Sequence, residues 1–428
     1  MLTRIEVDGF KNLLGFSAEF GPFTCIAGPN AVGKSNLFDA IEFLSLLADL
    51  PVKDAARRIR GGGEVRDLFY TDGKQRVDRM RFAVEMLTEA VITDDRGLRS
   101  DAAPNFYRYD LELELETSNE LDASRPVVAR EYLESVPKRL RFPGGHLMDT
   151  KGWGFHYQSG RHRPPRTFIS TVTTLDSNGV SPPLNVRREM QSWRRLALDP
   201  AALRGSDSID DLEEDISPEG AHLPAMIYRL AHESHDGNPP DPEGFYAQLA
   251  VRLSELLSIR SLHVDRDDKD RRLHLQTEML DGSMFPARAL SDGTLRFLAL
   301  AALSFVRKQR LLCIEEPENG VHPSRMSALV DLVRELATNP EFDLEYEDTV
   351  RQVIVNTHSP DFVQSVYQDA SDAILVATQA MIPGPFNTGA RVLRLDPLNG
   401  TWRCSPENPG IGVLPLMHYL RKDIPPHT

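Results

Sequence analysis

Gly28-Pro29-Asn30-Ala31-Val32-Gly33-Lys34-Ser35 has the form G-x-x-x-x-G-K-S, and its reading decides the fold. It follows Phe23-Thr24-Cys25-Ile26-Ala27, a short apolar, β-prone run of the kind that forms a buried strand. It leads into Asn36-Leu37-Phe38-Asp39-Ala40-Ile41-Glu42-Phe43-Leu44, whose apolar residues recur at helical spacing. Strand, glycine loop and helix are the context a phosphate-binding loop needs. The glycines let successive backbone N–H groups turn inward on phosphate oxygens, and the helix N-terminus adds partial positive charge. The spacing assigns Lys34 to the β- and γ-phosphates, the Ser35 hydroxyl to Mg²⁺, and the backbone from Gly28 to Asn36 to the nucleotide. The competing reading is a glycine-rich turn before a core helix, the weaker one once motif and context are taken together. A nucleoside triphosphate is the expected ligand.

A second half of the site is legible further on. Leu311-Leu312-Cys313-Ile314 is an apolar strand that runs directly into Glu315-Glu316-Pro317-Glu318. Two adjacent carboxylates at the end of a buried strand are costly to desolvate unless a cation meets them. Mg²⁺ on a nucleotide would do so, with Glu315 holding the metal or its waters and Glu316 polarising the attacking water. Gln352-Val353-Ile354-Val355-Asn356-Thr357 reads as another buried strand and ends at His358-Ser359-Pro360. His358 is either a γ-phosphate contact or an ordinary loop residue. Its place at the C-terminal end of an apolar strand favours the first, because ligand sites of α/β proteins gather at those ends. Ser291-Asp292-Gly293-Thr294 opens an amphipathic helix over Leu295 to Val306. Alone this is an N-cap; in a chain with a phosphate loop it is a second candidate anion-binding helix terminus.

The rest of the chain sets bounds. Its 428 residues suffice for two or three domains, and 41% apolar residues for sizeable cores. A net charge of −14 argues against a protein coated in basic surface, though not against a local basic groove. Cys25, Cys313 and Cys404 lie far apart without a C-x-x-C, a pattern that suggests neither zinc nor a disulfide framework. The N-terminus has no basic n-region, and no run of about 20 apolar residues occurs. The expectation is a cytoplasmic protein without a membrane partner. Short strands are expected near the N-terminus, over Met80 to Leu87, Tyr107 to Glu116, Ser261 to Val264 and Leu273 to Gln276, with helical stretches at Met190 to Leu198 and Phe245 to Leu257. Between about 130 and 255, prolines, glycines and charges interrupt the pattern. Residues 130–166 carry eight Lys/Arg against three acids, while 205–220 carry seven acids and no base. Such runs are usually solvated faces; the alternative is an arm whose basic part meets nucleic acid or a partner.

These pieces, in this order, resemble the ATP-binding-cassette (ABC) type of ATPase head found in RecF, Rad50 and SMC proteins, and more narrowly the AAA-annotated ATPases of the overcoming-lysogenization-defect (OLD) group. On that resemblance Gly28 to Ser35 is Walker A, Leu311 to Glu316 is Walker B, Leu290 to Thr294 is the signature and His358 is the switch histidine. Ile5-Glu6-Val7-Asp8-Gly9-Phe10-Lys11-Asn12 matches the first strand and turn. Two departures stand out: Glu315 where Asp is commoner, and S-D-G-T in place of S-G-G-Q. Gln75 is the only candidate offered for a Q-loop. The implied fold is α/β: a P-loop NTPase with a mixed central sheet, an antiparallel β subdomain and a largely helical insertion. The implied domains are 1–129 and 259–428 as two parts of the head and 130–258 as an inserted lid or arm. ATP and Mg²⁺ are the implied cofactors. Two subunits would pair head to tail, with Ser291, Asp292 and Gly293 meeting the partner's ATP. The expected function is a nucleotide-gated switch in DNA transactions or antiphage defence, acting with an effector protein (a nuclease or toxin). Too few residues follow His358 for the Toprim nuclease domain of full-length OLD proteins. A slow-turnover DNA clamp is the alternative, and a transporter ATPase the weaker third.

Overall fold

Strands that read as unbroken apolar runs form the middle of a parallel sheet, as burial on both faces requires. The computed structural model describes the chain apart from residues 61–62, 90, 101–105, 118–123, 136–137, 142, 144–146, 150–154, 159–163, 176–180, 211–214, 235–238, 255–256, 258, 307, 339–349, 407, 413–415 and 417–428. The central sheet runs in the order Trp193–Leu196, Leu311–Glu315, Gln352–Thr357, Phe23–Ala27, Ile374–Pro383, Gly389–Pro397. The first five strands are parallel, and the last turns back antiparallel to its neighbour. Phe23–Ala27 and Gln352–Thr357 are buried along their whole length.

The period of two along each strand sorts side chains into two cores. Cys25, Leu312 and Ile314 pack with the helices Asp292–Leu303, Met326–Glu335, Pro360–Ala370, Leu223–His232 and Pro242–Ser254. Ile26, Leu311 and Cys313 face the other way, onto the helix Lys34–Leu47. That helix is covered on its far side by a second, antiparallel sheet ordered Phe155–Gln158, Ser124–Ser135, Phe106–Thr117, Arg79–Leu87, Leu2–Asp8, Phe16–Glu19. Leu37, Phe38, Ile41, Phe43 and Leu44 are each at most 2% exposed, so the P-loop helix is locked between two sheets. A smaller sheet pairs Ile259–Asp267, Arg272–Met279 and Met284–Pro286 in front of the signature.

The sheets do not respect the boundaries drawn at 130 and 258. Ser124–Ser135 crosses the first boundary as one continuous strand, and Phe155–Gln158 pairs with it. Trp193–Leu196, inside the expected arm, is the edge strand of the central sheet, in register with Leu311–Ile314. Helices Leu223–His232 and Pro242–Ser254 pack into the main core instead of projecting from it. The helix expected over Met190 to Leu198 is instead the end of a helix Pro182–Gln191 followed by that strand. A run of four strand residues is too short to show its period, and pairing with Walker B decided the outcome. In the basic stretch, Lys151, Arg161 and Arg163 lie outside the described residues; Lys138 pairs with Glu85, and Arg166 donates to the Asp49 carbonyl. In the acidic stretch, Asp211, Glu213 and Glu214 lie outside them. Among the described residues no helix is long and apolar enough to cross a membrane.

Candidate functional site

Register brings the site together. Glu315 pairs with Asn356, Asn356 with Ile26 and Thr357 with Ala27, so three neighbouring strands end level. The residues that follow, Glu316, His358 and Gly28, therefore share one edge of the sheet. The Gly28 N–H donates to the Thr357 carbonyl at 3.3 Å, tying the start of the loop to the His358 strand.

Two of the loop's glycines are dictated by sterics. A Cβ on Gly28 would lie 2.4 Å from the Ala377 carbonyl oxygen; one on Gly33, at φ 110°, would lie 2.2 Å from the Asn12 amide. Ala31 also has positive φ, at 65°. The tip residues Pro29, Asn30 and Ala31 are exposed, whereas Val32 is buried against the core. Asn12 braces the loop by donating to the Val32 carbonyl at 3.1 Å and accepting from the Asn36 amide at 2.8 Å. Lys34 is 6% exposed, its ammonium held by the carbonyls of Gly28 (2.5 Å) and Pro29 (2.8 Å). Burial holds its pKa below the ordinary lysine value, against the opposing pull of Glu316, Glu318 and Glu315.

Ser35 donates its hydroxyl to Glu315 Oε2 at 3.0 Å, which joins Walker A to Walker B. Glu315 Oε1 accepts from Arg195 Nε at 2.6 Å. Glu316 stands in the left-handed region at φ 44°, a conformation worth about 1–2 kcal/mol of strain for a residue with a Cβ. Its N–H is held by the Asn356 carbonyl and side-chain oxygens at 3.0 and 3.2 Å. Its carboxylate accepts from the Asn319 amide at 2.8 Å and lies 2.9 Å from His358 Nδ1. The strain fixes the direction of this carboxylate, and both oxygens are oriented by neighbours.

Lys34, Ser35 and Glu316 open on a cavity of about 480 Å³ lined also by Asn12, Arg60, Gln379 and Arg391 together with the loop backbone; Glu315 and His358 do not line it and are joined to it through Ser35 and Glu316. Another cavity of about 480 Å³, lined in part by Arg4, Arg141 and Trp402, shares no residue with it. The first is the candidate nucleotide site, where the loop, Lys34 and Glu316 converge. The donors fit Mg²⁺: one hydroxyl and one carboxylate, both hard oxygen ligands, 3.0 Å apart. No cluster of three or more His, Cys, Asp or Glu exists among the described residues to cage a metal without help. That is the usual Mg²⁺ arrangement, in which substrate phosphates and water complete the octahedron.

The signature residues stand elsewhere. Ser291 caps the helix Asp292–Leu303 by accepting from the Thr294 N–H at 3.2 Å. Ser291 and Asp292 are exposed; neither they nor Gly293 are among the described residues lining the Walker A cavity. Gly293 is held against the loop after Walker B, where a Cβ would come within 2.8 Å of the Gly320 carbonyl oxygen. Arg204 fastens the turn by donating to Asp292 at 2.5 Å and to the Leu290 carbonyl at 3.1 Å. Gln75 is not part of the site. It sits exposed in a tight turn, its carbonyl tied to Thr71 and Asp72, and it does not line the cavity. Sequence reading assigned no role to Arg195, Arg60, Gln379 or Arg391. Nothing in the Ile5–Asn12 motif marks Asn12 as a brace.

Glu318, two residues after Glu316, is 5% exposed. Its Oε1 accepts from the Thr357 hydroxyl, and Oε2 is buried without a hydrogen-bond partner among the described residues. Burial raises its pKa above the ordinary carboxylate value. A raised folded-state pKa means the native chain binds the proton more tightly than the unfolded chain. Its contribution to stability is full below the unfolded value and fades as pH climbs through the folded one. Glu318→Gln, which cannot carry the buried charge, is thus expected to raise stability near neutral pH and to flatten this pH slope. Melting temperatures from pH 4 to 8 measure both; an unaltered slope would refute the assignment.

A family model described as "AAA domain, putative AbiEii toxin, Type IV TA system" matches residues 23–143 and 180–363. Shorter matches are to Structural maintenance of chromosomes protein 1 of Schizosaccharomyces pombe (42% identity over 71 residues, 16% of this chain and 5% of that protein) and to the DNA replication and repair protein RecF of Phocaeicola vulgatus (34% over 76 residues, 17% and 20%). The chain thus spans a small part of the length of these relatives. Among solved structures, an SMC head bound to the C-winged helix domain of ScpA is similar at 14% identity over 92% of this chain and 98% of that one, with a TM-score of 0.49. The SMC head domain of Thermotoga maritima is similar at 13% over the same shares, with a TM-score of 0.39. The fold assignment itself rests on the strand order and the P-loop. With the family model matching both stretches, the chain belongs to this AAA-domain family and is SMC- and RecF-like.

Proposed function

We propose that this chain binds Mg-ATP at Gly28–Asn36, pairs head to tail with a second copy, and hydrolyses ATP to open the pair again. In this reading it is a nucleotide-gated switch that acts with an effector protein, a nuclease or toxin, in DNA transactions or antiphage defence. The observation that carries it is the division of the site. Lys34, Ser35, Glu315, Glu316 and His358 converge at one sheet edge, while Ser291 lies exposed on a helix terminus outside that cavity. A capped, outward-facing helix N-terminus suits phosphate of a second molecule.

In the mechanism, the loop N–H groups and Lys34 bind the phosphates, and Lys34 exchanges its carbonyl partners for phosphate oxygens. Ser35 and Glu315 would hold Mg²⁺, which when bound offsets charge on the β- and γ-phosphates. Glu316, oriented by Asn319 and His358, accepts the proton of the attacking water. His358, 2.9 Å from Glu316, would act on the γ-phosphate through that carboxylate. Ser291 and Gly293 close the partner's site.

Mixing two inactive variants tests this directly. Ser291→Arg breaks both sites in its own dimer through the signature, and Lys34→Ala breaks both through Walker A. A mixed dimer regains one intact composite site, so ATPase activity should return on mixing. Two well-folded variants that stay inactive together would argue against sharing in trans. Salt-dependent DNA retention without steady hydrolysis would point instead to the slow clamp.

A further inference from the structure

Glu315 is one methylene longer than the aspartate commoner at its position, and a longer side chain has more rotamers to lose before it can hold a metal. The structure supplies a restraint. Arg195 lies on Trp193–Leu196, the strand paired parallel to Walker B, with Arg195 opposite Cys313. Its side chain is 10% exposed. Nε donates to Glu315 Oε1 at 2.6 Å, and Nη1 reaches Glu42 at 3.3 Å and Asp39 at 4.0 Å, both on the P-loop helix. Asp39 is anchored in turn by Lys11 at 2.5 Å and Arg60 at 2.8 Å. The two oxygens of Glu315 therefore have different duties: Oε1 is tied to Arg195, and Oε2 is turned to the Ser35 hydroxyl.

We infer that Arg195 is a positioning residue for the divalent cation, fixing Glu315 so that Oε2 alone is presented beside Ser35. The inference rests on the proposed Mg-ATP site and deepens it. A guanidinium suits this task better than an ammonium. Its planar fork addresses Glu315 and Glu42 at once and so ties the Walker B strand to the P-loop helix. Burial alone would lower the Arg195 pKa, but Glu315 and Glu42 outweigh it and hold the group firmly charged. Partners that orient a metal-ligating carboxylate typically change metal affinity by about 10–100-fold when removed.

The test is Mn²⁺ binding to the full-length protein complexed with the non-hydrolysable analogue AMP-PNP, followed by electron paramagnetic resonance. Analogue affinity in EDTA and the melting temperature are recorded alongside. Arg195→Gln should weaken Mn²⁺ by about 10-fold or more while metal-free analogue affinity stays within about twofold of wild type, a ratio below the ordinary factor of 10 per 1.4 kcal/mol. Arg195→Lys retains a cation without the fork and should fall between the two; it also serves if the glutamine variant does not fold. Mn²⁺ affinity that is unchanged or tighter in the variants overturns the inference. So does a loss matched by equal loss of metal-free binding, which would mark Arg195 as merely structural. A wild-type complex that holds AMP-PNP but takes no Mn²⁺ would overturn the metal assignment of the proposed function itself, a failure visible before any variant is made.

Discussion

Lys34→Ala is expected to lower affinity for ATP by at least about 100-fold and to remove ATPase activity. A hydrogen bond to a charged partner contributes about 1.5–3 kcal/mol, and each 1.4 kcal/mol is tenfold in affinity. Here the loss is compounded. Glu316, Glu318 and Glu315 all act on the Lys34 ammonium, and without it their combined negative field opposes the incoming phosphates. The fold should survive, because the ammonium's present partners are two loop carbonyls and no core side chain depends on it. Fluorescent-nucleotide titration measures the effect. An affinity within threefold of wild type, or hydrolysis at the wild-type rate, would remove Walker A from the account.

Glu316→Gln should separate binding from chemistry. The amide keeps the shape of the side chain and can still meet Asn319 and His358, but it cannot take a proton from water. General-base removal typically costs about 10²–10⁴ in rate, so turnover should fall into that range while ATP affinity stays near wild type. The left-handed backbone at Glu316 is unaffected by the change, since either residue has the same Cβ. Single-turnover hydrolysis and equilibrium binding, measured on the same preparation, separate the two effects. Equal losses in binding and turnover would mean that Glu316 is a structural anchor for the Asn356 and Asn319 loops.

The parts of this site that were legible in sequence are those whose meaning is local. Gly28 to Ser35 carries its steric and chemical requirements in eight consecutive residues, and the two glycines that need to be glycine proved so by close contacts with Ala377 and Asn12. Glu315, Glu316 and His358 were readable because they lie at or just beyond the ends of apolar strands, and parallel register brings those ends together. Arg195 was invisible for the opposite reason. Its significance depends on a four-residue strand lying beside Walker B, 120 positions away from Glu315 in sequence. Gln379 and Arg391 are exposed positions on two strands of the central sheet, and nothing in an alternating pattern distinguishes a cavity wall from open solvent. The arm expected over 130–258 failed as a boundary because its elements are short and broken by proline, so that strands belonging to both sheets looked like irregular chain. Gln75 misled because a lone glutamine has no local signature; turn chemistry at Asp72 and Gly73 fixed that segment instead.

The central claim is an ATP-dependent pair with shared sites, and light scattering on purified Glu316→Gln with and without Mg-ATP tests it most directly. The account predicts a monomer that becomes a dimer when nucleotide is added, and no dimer when Ser291→Arg is combined with it. A mass that stays unchanged with nucleotide demonstrably bound, or a dimer indifferent to Ser291→Arg, would contradict it.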